Sequence, residues 1–134
     1  MSNLRRKRKL KVKTKKLVNS FKYAFQGFFA AFKTERNMKI HMFIMIAVIL
    51  VGFWLKISTI EWIICIMLFG AVIGAELINT AIEKTVDIVM PYRNKDAKLA
   101  KDLSAAGVLV VAISSAIVGF IIFIPKIIDV LKLG

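Results

Sequence analysis

The sequence predicts an all-α integral membrane protein with three transmembrane helices and an N-terminal amphipathic surface helix. Three observations carry this prediction. First, 58% of the 134 residues are hydrophobic and the mean hydropathy is +0.71, against ~45–50% apolar residues in a soluble domain. Second, 21 Lys and Arg against 8 Asp and Glu give a net charge of +13, and this charge gathers at the ends of the apolar runs. Third, three long apolar stretches are separated by short polar segments. So much apolar material excludes disorder over most of the chain, and the charge distribution does not suit a soluble enzyme. One cysteine, Cys65, and one histidine, His41, exclude an internal disulfide, a Cys-based zinc site and a His-rich metal centre. Any metal would be a hard cation held by carboxylates.

The elements follow in chain order. Residues 1–16 form a basic arm with Arg5, Arg6, Lys7, Arg8, Lys9, Lys11, Lys13, Lys15 and Lys16 and no acid. It is read as a mobile cytoplasmic tail held near anionic lipid headgroups. No apolar region with a small-residue cleavage site follows directly, against a signal peptide. No aromatic stacking platform accompanies it, against nucleic-acid binding. Residues 17–34 form the surface helix, because Phe21, Phe25, Phe28, Phe29 and Phe32 fall on one helical face. A Phe-rich face with basic flanks suits a helix lying at the bilayer surface.

The first span covers about residues 38–56, since Ile40 to Leu55 carries no Asp, Glu, Lys or Arg. Lys39 extends it by snorkelling, and Trp54 marks its far boundary. The second span covers about 60–90 and is interrupted by Glu61, Glu76, Glu83, Lys84 and Asp87. Trp62 anchors its start, and Gly70 and Gly74 form a G-x-x-x-G that permits close helix packing. Pro91 ends it. The third span covers about 102–125, where Leu103 to Pro125 is uncharged and Ser115 and Gly119 offer a second small-residue face. Residues 17–134 are thus one membrane domain. The basic arm and the basic loop at 91–102 place the N-terminus on the cytoplasmic side and the turn near Lys56 outside.

The second span ends in Glu76-Leu77-Ile78-Asn79-Thr80-Ala81-Ile82-Glu83-Lys84-Thr85-Val86-Asp87. On a helix, Glu76, Asn79, Glu83 and Asp87 fall on one face. Ionisable groups in a membrane segment are costly and mark function. Glu35, Lys98, Lys101 and Asp102 lie on the same side of the membrane by this topology. Carboxylates and lysines gathered at one membrane face suit a metal–phosphate site. No Walker A motif and no G-x-G-x-x-G loop is present, so a P-loop or protein-kinase fold is excluded. An ion or proton translocator using Glu76, Glu83 and Asp87 is the second class of function, but these carboxylates do not cross the bilayer. A membrane adaptor recruiting partners through its basic arm is the third, and it leaves the stripe unexplained. His41 reads as a hydrogen-bonded interfacial residue and Cys65 as a small apolar filler.

The run E-L-I-N-T-A-I-E-K-T-V-D at 76–87, followed by A-K-D-L-S-A-A-G-V at 100–108, resembles the prokaryotic diacylglycerol kinase family. That family includes the undecaprenol kinases of Gram-positive bacteria. The resemblance covers roughly residues 17–128. It implies a homotrimeric kinase of the bacterial cell membrane, with three transmembrane helices, a surface helix and active sites shared between subunits. Such a kinase moves the γ-phosphoryl of Mg·ATP to a lipid hydroxyl. By the same resemblance Glu76 is the general base, Glu35 and Glu83 are magnesium ligands, and Asn79 helps order the site with Asp87 beside it. Lys101 and Asp102 contact the nucleotide, as do Tyr23 and Gly27 of the surface helix and Lys16 before it. The E-R-N-M-K-I-H segment at 35–41 and Gly107 are similar to the undecaprenol branch. Undecaprenol is therefore the expected substrate, with diacylglycerol, giving phosphatidic acid, as the alternative.

Overall fold

The computed structural model describes residues 2–133, with side chains from 13 to 132. The chain forms four helices: α1 (Ser2–Thr34), α2 (Arg36–Trp54), α3 (Thr59–Val89) and α4 (Lys95–Leu133). Helices α2, α3 and α4 are long and apolar enough to cross a membrane. The chain divides between Thr34 and Glu35 into two compact units, α1 being one and α2–α4 the other.

The first unit differs from expectation. Helix α1 begins at Ser2, so no break separates the basic residues from the stretch at 17–34. Lys, Arg, Leu and Gln are good helix formers, and neither Gly nor Pro occurs before Gly27. The side chains of Arg5 to Lys11 lie outside the described residues. Within α1 the Ser20 hydroxyl donates to the Lys16 carbonyl at 3.0 Å, and Phe28 and Phe29 meet edge to face with centroids 5.7 Å apart.

In the second unit α3 packs against both α2 and α4. The turn joining α2 to α3 is a Schellman cap. Lys56 N–H donates to the Phe53 carbonyl at 3.3 Å, and Ile57 N–H to the Gly52 carbonyl at 3.1 Å. Lys56 takes the left-handed position with φ of 50°, which glycine occupies without strain. Ser58 then starts α3 with a capping box. Its hydroxyl accepts from Glu61 N–H at 3.3 Å, and the Glu61 carboxylate accepts from Ser58 N–H at 2.7 Å. That same carboxylate reaches Lys126 on α4 at 3.2 Å. Behind this end, Ile57, Cys65 and Ile122 form the buried core, with Trp62, Phe69 and Phe123 packed around it. Cys65 is an apolar filler, as expected.

At the opposite end Pro91 keeps Met90 out of the helical region (φ −133°, ψ 76°), which stops α3. The Asn94 side chain caps α4, accepting from Asp96 and Ala97 N–H at 2.8 and 3.0 Å. Helix α4 runs through Pro125 to Leu133, further than the 102–125 expected. The proline ring removes one backbone bond of the ladder without ending the helix. Between the three helices lies an apolar cleft of about 530 Å³, lined by Met45, Val48, Leu68, Phe69 and Phe120 among others, with His41 at its polar end. Ser115 and Gly119 line this cleft, and among the described residues the glycines of the small-residue faces are not in close packing. An added Cβ at Gly70, Gly74 or Gly119 would meet nothing within 4 Å.

Gly52 is the close approach in this unit. A Cβ there would lie 2.9 Å from Trp62 Cη2 and 3.2 Å from Ile57 Cδ1. Gly52→Ala is expected to destabilise the α2–α3 hairpin by about 1–3 kcal/mol, the usual overpacking cost. Lys56→Gly should stabilise it by about 1 kcal/mol by removing left-handed strain. Thermal unfolding in detergent micelles checks both, and a lower melting temperature for Lys56→Gly would contradict the turn assignment.

Candidate active site

A hydrocarbon core of ~30 Å takes about 20 helical residues. Counted from Thr59, this brings the far boundary to about residue 79, within the polar stripe of α3. Burial follows the same gradient. Glu76 is 2% exposed and Asn79 7%, Glu83 is half-buried and Asp87 is exposed.

Three helices supply partners to this stripe. Glu76 meets α2, with His41 Nε2 3.1 Å from its Oε1. That is ion-pair distance without hydrogen-bond alignment, so Oε1 has no hydrogen-bond partner. The Thr80 hydroxyl, one turn on, is likewise buried and unpartnered. Asn79 links α3 to α4. Its Nδ2 donates to Glu83 Oε1 at 3.1 Å, and its Oδ1 accepts from the Ser104 hydroxyl at 2.6 Å. This orientation is dictated by chemistry, since a carboxylate can only accept. The Ser104 proton is shared with the Lys101 carbonyl, 2.9 Å away. Further along, Lys101 Nζ grips both oxygens of Asp87 at 2.9 and 3.1 Å.

The structure thus joins Asn79 with Glu83 and Lys101 with Asp87, while Glu76, on the same face of α3, meets His41. Other expected site residues are placed differently. Glu35, at the N-cap of α2, pairs with Lys84 at 3.4 Å, the residue next to Glu83. Asp102 is held by Lys98 on its own helix. Lys16, Tyr23 and Gly27 lie on α1, where Tyr23 and Gly27 share a face one turn apart. Among the described residues no three His, Cys, Asp or Glu side chains gather into a metal cluster.

Sequence reasoning missed His41, Ser104 and Thr80 as members of the site. A signal for His41 existed, because counting outward from the turn at 55–58 brings it opposite about residue 72, one helical turn from Glu76. Ser104 sits in the A-K-D-L-S-A-A-G-V segment, but nothing in that segment says that its hydroxyl meets Asn79. For Thr80 the signal was its place one turn after Glu76.

Helix order, the polar end of α3 and its links to α4 define a small helical membrane protein with an acidic site at one end. The family model for prokaryotic diacylglycerol kinase matches residues 22–123. The chain is 43% identical over 107 residues to the undecaprenol kinase of Bacillus subtilis (strain 168), covering 80% of this chain and 87% of that protein. It is 36% identical over 116 residues to the diacylglycerol kinase of Synechocystis sp., covering 86% of this chain and 66% of that protein. It is 35% identical over 94 residues to the diacylglycerol kinase of Haemophilus influenzae, covering 70% of this chain and 80% of that protein. The chain therefore belongs to the prokaryotic diacylglycerol kinase family.

Because Asn79 serves two partners inside the unit, Asn79→Ala is expected to cost about 1–3 kcal/mol of stability by leaving buried polar groups unmatched. Asp87→Asn, at the exposed end of the stripe, should leave the unfolding temperature where it is. Unfolding followed by circular dichroism in detergent ranks the two, and the reverse ranking would refute the assigned roles.

Proposed function

We propose that the protein is a membrane lipid kinase that transfers the γ-phosphoryl of Mg·ATP to the hydroxyl of undecaprenol, giving undecaprenyl phosphate. The observation that carries this reading is the Glu76 carboxylate, 2% exposed on an apolar helix at the membrane boundary. A lipid alcohol lying in the bilayer presents its hydroxyl at that depth. The hydroxyl oxygen attacks the γ-phosphorus in line, its proton passes to Glu76, and ADP leaves with the bridging oxygen. Asn79 holds Glu83 in place through the 3.1 Å hydrogen bond.

The carboxylate set fits Mg²⁺, which takes one or two protein carboxylates and completes its shell with phosphates and water. Glu83 on α3, and Glu35 at the N-cap of α2, which pairs with the adjacent Lys84, would hold it. Bound there with the nucleotide, Mg²⁺ neutralises phosphate charge. Lys101 and Asp102 would contact the nucleotide from α4. In this reading α1 lies on the cytoplasmic face with its Phe stripe toward the bilayer and its basic residues on anionic lipid. The protein works as a homotrimer with active sites shared between subunits.

Undecaprenol is preferred because the undecaprenol kinase relative is 43% identical, against 36% and 35% for the two diacylglycerol kinases. Those two relatives keep diacylglycerol as the second substrate to be tested. The test is phosphate transfer by the purified protein in mixed micelles with Mg·ATP, offering undecaprenol and diacylglycerol separately. Transfer to undecaprenol is expected to be faster. Glu76→Gln should lower kcat by roughly 10²- to 10⁴-fold, the range for a lost general base, while the protein stays folded. Faster transfer to diacylglycerol would reverse the substrate order. A fully active Glu76→Gln would remove the base assignment.

A further inference from the structure

We propose that His41 is a positioning residue for the Glu76 carboxylate, donating from Nε2 to hold Oε1 while the second oxygen receives the acceptor's proton. This rests on the reading of Glu76 as the general base. A carboxylate that is 2% exposed on an apolar helix is costly to keep charged unless a donor or cation meets it. The other donors near the stripe are already engaged. The Asn79 amide nitrogen is on Glu83, Lys101 is on Asp87, and Lys84 is on Glu35. Among the described residues His41 is the group within ion-pair reach of Glu76, at 3.1 Å.

Placement supports a role beyond neutralisation. His41 belongs to α2, whereas Glu76 belongs to α3, so the contact fixes the carboxylate against a second helix. Its ring is half-buried, with the side chain 21% exposed, and it also lines the end of the apolar cleft. His41 therefore stands between the carboxylate and the apolar space. The contact has the distance of a hydrogen bond without its alignment. Catalytic hydrogen bonds in unliganded enzymes are often poorly aligned and tighten when substrate binds. A free carboxylate could turn about its terminal torsion, whereas one held at Oε1 presents its second oxygen in one direction. Misplacement of a reacting group by about 1 Å can cost ~10²-fold in rate.

Two variants separate positioning from packing. His41→Phe keeps a ring of similar size against the cleft and removes both nitrogens. His41→Gln keeps an amide N–H donor near the Nε2 position. Both would be purified in detergent and compared with wild type for melting temperature, and for kcat and KM of lipid phosphorylation with Mg·ATP. His41→Phe is expected to lose about 10- to 100-fold in kcat, with KM for ATP and melting temperature unchanged. His41→Gln should recover kcat to within a few-fold of wild type. A wild-type kcat in His41→Phe, beside an inactive Glu76→Gln, overturns the positioning role and leaves the kinase reading intact. Equal losses in folded His41→Phe and His41→Gln overturn it too, since a donor alone would then not suffice. A wild-type protein that phosphorylates neither undecaprenol nor diacylglycerol removes the kinase reading, and this inference with it.

Discussion

A carboxylate buried in an apolar helix has to be met by a group from elsewhere, and in this chain Glu76 is met by His41 from a different helix. That requirement fixes how α2 lies along α3, because the histidine has to arrive level with the stripe. The remaining polar residues of α3 follow the same rule with decreasing urgency. Asn79 is nearly buried and carries two hydrogen bonds. Asp87 is exposed and carries an ion pair that water could replace. The gradient from dry to wet along about three turns makes one helix end a graded boundary. Apolar and charged groups can meet there without either leaving its preferred solvent.

The two ends of α3 solve different problems. At the Ser58 end the chain reverses in a few residues, and the backbone groups left by that reversal are satisfied locally by the Schellman cap and the capping box. The Glu61 carboxylate serves first as a cap and then as a link to Lys126. At the Val89 end the side chains serve the neighbouring helices instead. Glu35 to Lys84, His41 to Glu76, Ser104 to Asn79 and Lys101 to Asp87 all lie there. Structural polarity is concentrated at one end and chemical polarity at the other.

The helices were legible because apolar runs of bilayer length are a coarse signal that tertiary context does not override. The stripe at 76, 79, 83 and 87 was legible because helical periodicity alone puts those positions on one face. What was hidden depends on rotation and pairing between helices. His41 read as an interfacial residue because nothing local in α2 marks it as a partner for α3. Lys101 and Asp102 are neighbours in sequence, but the helix points them apart. Lys101 reaches Asp87, and Asp102 turns to Lys98. The Gly70 and Gly74 pair had the spacing of a packing motif, but spacing does not say which helix will arrive, and among the described residues none comes within 4 Å of an added Cβ there. The basic segment read as a tail because its charge dominates, whereas its lack of Gly and Pro lets it continue the helix that follows.

Asn79 gives the clearest consequence for engineering. One amide both fastens α4 to α3 and orients Glu83, so on the proposed reading durability and turnover are bound to the same two hydrogen bonds. Changes around Asn79 and Ser104 cannot be screened for one property without moving the other. The hairpin turn at Lys56 and Ser58 is separated from them by about 20 helical residues, or ~30 Å. Thermostabilised variants for structural or industrial work are best sought at that far end, where a substitution can harden the scaffold and leave the chemistry alone.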